Sequence, residues 1–197
     1  MEQTCKQKSV FTKGDYESSD GMLTYVWGPS MWHTLHTISF NYPVNPDSDT
    51  KKKYFEFFNS LENILPCKYC RINFKKNMKK VPLKISTTMK NRESLSRWVY
   101  NLHEEINRML GKKSNLTYDE VRDRYEIFRA RCIDDVAGSK KKTKKKKMKP
   151  IKEKGCTNPL YGVRSKCVIN IVPKTRKCKS FTIDKKCRLR RKIKKKN

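Results

Sequence analysis

Pro66 stands directly before two cysteines in the run Leu65-Pro66-Cys67-Lys68-Tyr69-Cys70, and no other stretch constrains the chain as strongly. Proline lacks an N–H and holds φ near about −65°, so within a helix it suits the first turn and little else. The run therefore predicts a helix that opens at Pro66. Cys67 and Cys70 would share one face of its first turn, close enough for a disulfide. A helix N-terminus favours an anion, which lowers a thiol's pKa and promotes attack by thiolate. Read this way, the pair is a redox dithiol. A bare C-x-x-C also serves as half of a zinc site, or as two inert core thiols. The flanking sequence has to choose among these.

Charge divides the chain into two parts. Of 48 Lys and Arg and 19 acids, residues 139–197 hold 25 basic and only 2 acidic side chains. The front part has an ordinary balance, and the rest is a basic tail whose charge bears on partners, not on the chemistry in front of it. No apolar run approaches the ~18 residues needed to cross a bilayer. Residues 1–10 are polar and carry no secretory h-region. The expectation is a cytoplasmic protein, where a cysteine pair is more often catalytic or metal-binding than structural.

The front part reads as helices. Residues 1–24 form a polar arm with a lone Cys5, which is either incidental or a mobile thiol that visits Cys67. Tyr25-Val26-Trp27-Gly28-Pro29 opens a first helix with Pro29 at its first position. Trp32, His36, Leu35, Ser39 and Tyr42 follow at helical spacing, and Pro43 ends it. A second helix, roughly 49–65, has an apolar stripe of Tyr54, Phe57, Phe58, Leu61, Ile64 and Leu65. In the cysteine helix, Phe74 and Met78 continue the Cys70 face to a stop at Pro82. A fourth runs from an Asn91 N-cap to Gly111, with Leu95, Trp98, Val99, Leu102 and Ile106 as its apolar face. Its second stripe, His103, Asn107 and Gly111, followed by Lys112, is polar or small. That suits either a solvated face or a flat ligand drawn close to the backbone, with Lys112 available for a phosphate. Thr117 to Glu120 is a capping box for a fifth helix with Tyr118, Val121, Tyr125 and Phe128 inside. No strand pattern precedes Gly138, so the expected fold is all-α: a four-helix bundle plus a short fifth helix.

Four blocks in order carry a resemblance: Trp27-Gly28-Pro29-Ser30-Met31-Trp32-His33-Thr34-Leu35-His36 with Tyr42-Pro43; Phe57-Phe58; Leu65-Pro66-Cys67-Lys68-Tyr69-Cys70; and Leu102-His103-Glu104-Glu105-Ile106-Asn107 through Gly111-Lys112. Over residues 25–132 the chain resembles the Erv/ALR family of FAD-linked sulfhydryl oxidases, most of all versions from large DNA viruses. The resemblance implies a helical domain that cradles FAD, a homodimer, and oxidation of reduced protein thiols with O2 as acceptor, giving H2O2. It implies a host cytoplasmic or virion location if the source is a virus. It assigns Gly28, Trp32, His36, Tyr42, His103, Asn107, Gly111 and Lys112 to the cofactor. Cys70 becomes the cysteine beside the flavin, and Cys67 the one that exchanges with incoming thiols. It assigns no metal ligands. Glu104 stands where the family commonly has Asn. Tyr100 and Thr117 stand where many members have a disulfide. There is no second C-x-x-C.

Behind the domain come a Lys-rich linker, 133–154, and a segment, 155–197, with Cys156, Cys167, Cys178 and Cys187. Val168 to Val172 reads as a short strand. These cysteines suit carriers of electrons to the main pair, and the charge suits non-specific contact with nucleic acid or another anionic surface. The competing readings of the whole are a zinc-stabilised basic nucleic-acid-binding module, which wants a second ligand pair near Cys67, and a thioredoxin-like reductant, which wants a βαβ context.

Overall fold

The computed structural model describes residues 12–131, 156, 158–160, 164–179, 181–184 and 187. Cys5, Cys132 and the linker lie outside the described residues. The elements are α1 (Lys13–Glu17), α2 (Thr24–Asn41), α3 (Ser48–Ile64), α4 (Lys68–Lys80), α5 (Arg92–Met109), α6 (Tyr118–Glu126), β1 (Ala130–Arg131) and β2 (Asn158–Pro159). As expected, four long helices and the short α6 carry the fold, while the two-residue β1 is a strand where none was expected before Gly138, formed by pairing with β2 of the tail.

Side-chain caps set most helix starts. Asp47 accepts from the Thr50 N–H ahead of α3, Asn91 accepts from Ser94 N–H ahead of α5, and Thr117 and Glu120 close a reciprocal capping box on α6. Each satisfies backbone donors that the first turn leaves open, worth about 1 kcal/mol. At the far end of α5 the chain turns at Gly111 with φ +66°, and the Lys112 N–H donates to the Asn107 carbonyl at 2.8 Å. This is the left-handed C′ turn expected of a glycine.

Three local expectations are corrected. The first helix begins at Thr24, so Pro29 lies inside it and not at its first position. The cause is the preceding segment, which is docked on the cysteine helix and aims the chain into α2 early. Pro66 does not begin α4. Cys67, at φ −161° and ψ 123°, is the N-cap, and Pro66 precedes it. Val168 to Val172 belongs to neither described strand: Val168, Ile169 and Ile171 are exposed, and no ladder partner pairs with the stretch among the described residues.

α2 packs on α5, α3 on α4, α4 on α5, and α6 against both α2 and α5. The core between them holds Leu35, Tyr42, Phe58, Leu61, Phe74, Leu95, Trp98 and Leu102. Phe58 and Trp98 meet edge to face with centroids 5.5 Å apart, and the Trp98 indole N–H donates to the Val81 carbonyl at 3.1 Å. A ring of this size in a full core contributes several kcal/mol, about 3–5 on truncation to Ala. A second cluster, Phe40, Tyr118 and Val121, seats α6. Where many Erv/ALR relatives were expected to carry a disulfide, the Tyr100 hydroxyl donates to the Leu116 carbonyl at 2.8 Å and so ties α5 to the loop before α6. The tail returns to the domain: β2 pairs antiparallel with β1, and the Leu160 N–H donates to the Arg129 carbonyl at 2.9 Å.

Candidate active site

Cys67 and Cys70 lie at the head of α4, both half-buried and both thiols. As N-cap, Cys67 uses its sulfur where Ser or Asp would use oxygen: the Cys70 N–H donates to Cys67 Sγ at 3.2 Å. Burial opposes ionisation of Cys67. Hydrogen bonds from Cys70, Thr24 and the Tyr69 backbone outweigh it and leave the thiol below its ordinary pKa. Cys70 goes the other way. Burial and its hydrogen bond to Cys67 push it up, against the pull of Thr24 and the Arg71 charge. The two sulfurs are thus unequal: Cys67 is the readier thiolate at the surface, and Cys70 packs against the core. In the reduced pair Cys67 is therefore the thiol that ionises first and exchanges with disulfides outside the pair.

A second cluster is built from α2, α5 and α6. Trp32 stacks on His103 with centroids 3.9 Å apart and planes 3° apart. His36 Nε2 lies 3.1 Å from His103 Nδ1. Tyr125 stacks on His36 at 5.2 Å, and Phe40 follows at 5.3 Å. His33 sits at the end of this row against Tyr125, Phe128 and Phe181 of the tail, 5.0 Å from the last. Burial, then the neighbouring His103 and His33, lowers His36 to about 3. Burial, then the Lys112 charge, lowers His103 to about 4. At neutral pH both imidazoles are neutral, and one proton serves their shared hydrogen bond. Whichever ring donates, the outer nitrogen of His36, Nδ1, is buried with no protein partner, and so is Nδ1 of His33. An unpaired buried polar atom costs about 1–3 kcal/mol. Flat aromatic walls and two unanswered polar edges fit a flat heteroaromatic ligand with hydrogen-bonding atoms on its rim.

The residues expected from the sequence are not all placed alike. Trp32, His36 and His103 come together, and Lys112 is near enough to act on His103. The Lys112 ammonium also lies 5.5 Å from the Tyr25 ring, which Lys174 of the tail meets at 5.3 Å. Asn107 donates its amide to Glu104 Oε1 at 3.1 Å, so the position at which the sequence departs from the family pattern is the one that engages Asn107. Gly28 is buried in α2, but a Cβ there would make only an ordinary 3.5 Å contact with Thr24. Gly111 has open space around it. Tyr42 is fully buried in the core, with its hydroxyl donated to the Met89 carbonyl and its own carbonyl accepting from Arg92 Nε at 2.6 Å. Sequence reasoning missed Thr24, His33 and Phe181, whose partners lie far along the chain. Tyr125 could be placed only on an inner face.

A dithiol at a helix head, on a helical frame that also holds a buried imidazole–indole cluster, fits the thiol–disulfide class of redox proteins. Comparison narrows the class. Residues 29–126 match the Erv1 / Alr family and form an Erv1 / Alr family domain. The chain is 39% identical over 95 residues to a probable FAD-linked sulfhydryl oxidase of Acanthamoeba polyphaga mimivirus, covering 48% of this chain and 65% of that protein. It is 31% identical over 85 residues to the mitochondrial FAD-linked sulfhydryl oxidase of Saccharomyces cerevisiae, covering 43% of each. The crystal structure of the FAD binding domain of yeast Erv1 superposes with a TM-score of 0.47 at 27% identity, covering 53% of this chain and 94% of that one. The chain thus spans less than two thirds of the first two relatives' length.

Proposed function

We propose that this chain is an FAD-dependent thiol oxidase that forms disulfide bonds in protein substrates and delivers the electrons to O2, giving H2O2. The observation that carries this is the Cys67–Cys70 pair at the head of α4, with the Cys70 N–H on Cys67 Sγ, inside the stretch that matches the Erv1 / Alr family. Trp32, His36 and His103 would hold the cofactor, with His36 Nδ1 and His33 Nδ1 offering the polar contacts that the protein leaves unmet. Lys112, Asn107 and the Gly111 turn sit beside them, while Gly28 and Tyr42 support α2 and the core. When bound, FAD supplies a two-electron acceptor that oxygen can reoxidise, a task no side chain performs.

The chain's own part is exchange. A substrate thiolate attacks Cys67 Sγ of the oxidised pair. A substrate–Cys67 disulfide forms, the Cys67–Cys70 bond breaks, and its electron pair stays on Cys70. A second substrate thiol resolves the mixed disulfide and leaves Cys67 as thiolate. The cysteines of 155–197 would relay electrons from bulky substrates. Replacing Cys156, Cys167, Cys178 and Cys187 by Ser should then slow oxidation of a folded protein and spare that of dithiothreitol.

Two further parts of the reading concern partners. Phe57 and Ile64, two turns apart on α3, are 38% and 63% exposed and favour a homodimer face. Contact of the tail with nucleic acid or another anionic surface rests on charge alone and should vanish with salt. Among the described residues no helix is long and apolar enough to cross a membrane. A host cytoplasmic or virion location draws its support from the viral relative. No group of three or more metal-ligating side chains occurs among the described residues, so nothing there favours the zinc-module alternative.

The test is reconstitution. Purified protein with added FAD should retain a flavin absorbance band after desalting and consume O2 with dithiothreitol. A folded preparation that takes up no flavin would sink the proposal.

A further inference from the structure

The segment before α2 lies across the head of the cysteine helix. The Met22 N–H donates to the Pro66 carbonyl at 2.7 Å, and the Lys68 N–H donates to the Asp20 carbonyl at 2.9 Å. Between these bonds Gly21 pairs antiparallel with Cys67. Gly21 has φ +109°, and a Cβ there would stand 2.6 Å from the Pro66 oxygen and 2.7 Å from Cys67 Cα. A side chain fits neither the backbone nor the space. The Trp27 indole N–H donates to the Met22 carbonyl at 3.1 Å and fastens the strap to α2. In consequence Thr24, the first residue of α2, places its hydroxyl oxygen 3.5 Å from Cys70 Sγ, 46 residues along the chain.

We propose that Thr24 is a further residue of the dithiol site, whose hydroxyl donates to the Cys70 sulfur when that sulfur carries charge, and that the strap of residues 20–22 holds it in range. This rests on reading Cys67 and Cys70 as the redox pair. When a thiolate attacks Cys67 of the oxidised pair, one S–S bond forms, one breaks, and the displaced electron pair comes to rest on Cys70. Burial makes that sulfur a poor place for charge. A hydroxyl donor stabilises thiolate more than thiol, so it improves the leaving group. The other ionisable groups facing Cys70 are Cys67 and Arg71 of α4. Asp20 and Lys68, 4.0 Å apart, lie where the strap crosses. The Arg71 guanidinium is partly committed, donating to the Leu65 carbonyl at 2.7 Å. The Thr24 hydroxyl is shared only within the pair, since it also lowers Cys67, which a Cys67→Ser background removes as a competitor.

The experiment follows Cys70 itself. Full-length reduced protein is alkylated with iodoacetamide across pH, and labelling of each cysteine is read by peptide mass spectrometry with Cys167 as the internal reference. It is done in a Cys67→Ser background and in the intact pair. Thr24→Val keeps the shape and removes the donor. It should move the midpoint of Cys70 labelling upward and slow labelling near neutral pH by about three- to tenfold, since a hydrogen bond to a charged group is worth more than one to a neutral group. Thr24→Ser should restore the rate to within about twofold. Gly21→Val, which displaces the strap but keeps the hydroxyl, should shift Cys70 as Thr24→Val does. A Thr24→Val profile that superimposes on the unmodified one overturns the role of Thr24. A Gly21→Val profile that does not move overturns the role of the strap. Circular dichroism of each variant separates these results from unfolding. No flavin or oxygen enters the measurement, so an inactive protein with a shifted Cys70 would refute the oxidase reading alone, and an active one with an unshifted Cys70 would refute only this proposal.

Discussion

The sulfur cluster and the imidazole–indole cluster solve opposite problems. Around Cys67 and Cys70 the protein supplies hydrogen bonds from a backbone N–H, a hydroxyl and the partner sulfur, and leaves the pair half-exposed. That arrangement tolerates charge and lets one thiol ionise before the other. Around His36 and His103 the protein supplies aromatic walls and withholds charge, so both rings stay neutral well below their ordinary pKa. On the proposed function, one region changes charge during turnover and the other holds a neutral, flat partner without changing. A site that must pass electrons from a polar sulfur to a buried ring system needs both.

If that division is right, the two clusters should fail separately. The largest effect is on chemistry. Cys70→Ser should lower dithiothreitol-dependent O2 consumption by at least about a thousandfold, as loss of a reacting group does, while flavin binding and the melting curve stay near the unmodified protein. Retained turnover would place the redox pair elsewhere. His103→Leu should show the reverse pattern. It removes the Trp32 stack and the His36 bond, and should weaken flavin binding by roughly tenfold or more, given about 1–3 kcal/mol for a buried polar group left unpaired. Alkylation of Cys67 should be unchanged. A shifted Cys67 profile in that variant would mean that the clusters are one electrostatic unit.

A smaller effect concerns pH. The folded pKa values of His36 and His103 lie below the ordinary imidazole value, so the unfolded chain binds protons first as pH falls. Their contribution to stability is complete above about pH 6.5 and is lost progressively toward about pH 4. By pH 5 the loss should approach about 2 kcal/mol for each ring, measured by urea unfolding at pH 7 and 5, and His36→Gln should remove roughly half of the difference. A flat profile would show that the rings take up protons as readily in the fold as in the unfolded chain. Smallest is Tyr100→Phe, which deletes the hydroxyl bond to the Leu116 carbonyl. It should cost about 1 kcal/mol and touch neither flavin binding nor thiol reactivity, because its role is to tie α5 to the loop before α6.

What could be read locally was read well. Asn91, Thr117 and Gly111 announce helix ends within one turn of themselves, so α5 and α6 came out with their starts in place. The stripes that the resemblance assigns to the cofactor were legible in the sequence only as ambiguous rows, and the fold brings His36 and His103 within 3.1 Å of each other. Tyr42 shows the limit from the other side. The resemblance grouped it with Trp32 and His36 at the cofactor, yet the helix ends at Asn41 and the ring turns into the core against Tyr54, 4.6 Å away.

The amino-acid sequence by itself determined the helical periodicity, the caps, the cysteine pair and the separation of a charge-balanced domain from a basic tail, because each is written within a few consecutive residues. Tertiary structure alone decided that Cys67 is an N-cap and not a first-turn residue, that Gly21 lies against Pro66 and Cys67, that Thr24 meets Cys70, and that Phe181 returns to His33. The last three join residues 45 or more positions apart, and their geometry follows from how α2 packs beside α5 and how the strap crosses α4. No local preference encodes a separation of that kind. It is set when burial of the shared core fixes the helices relative to one another.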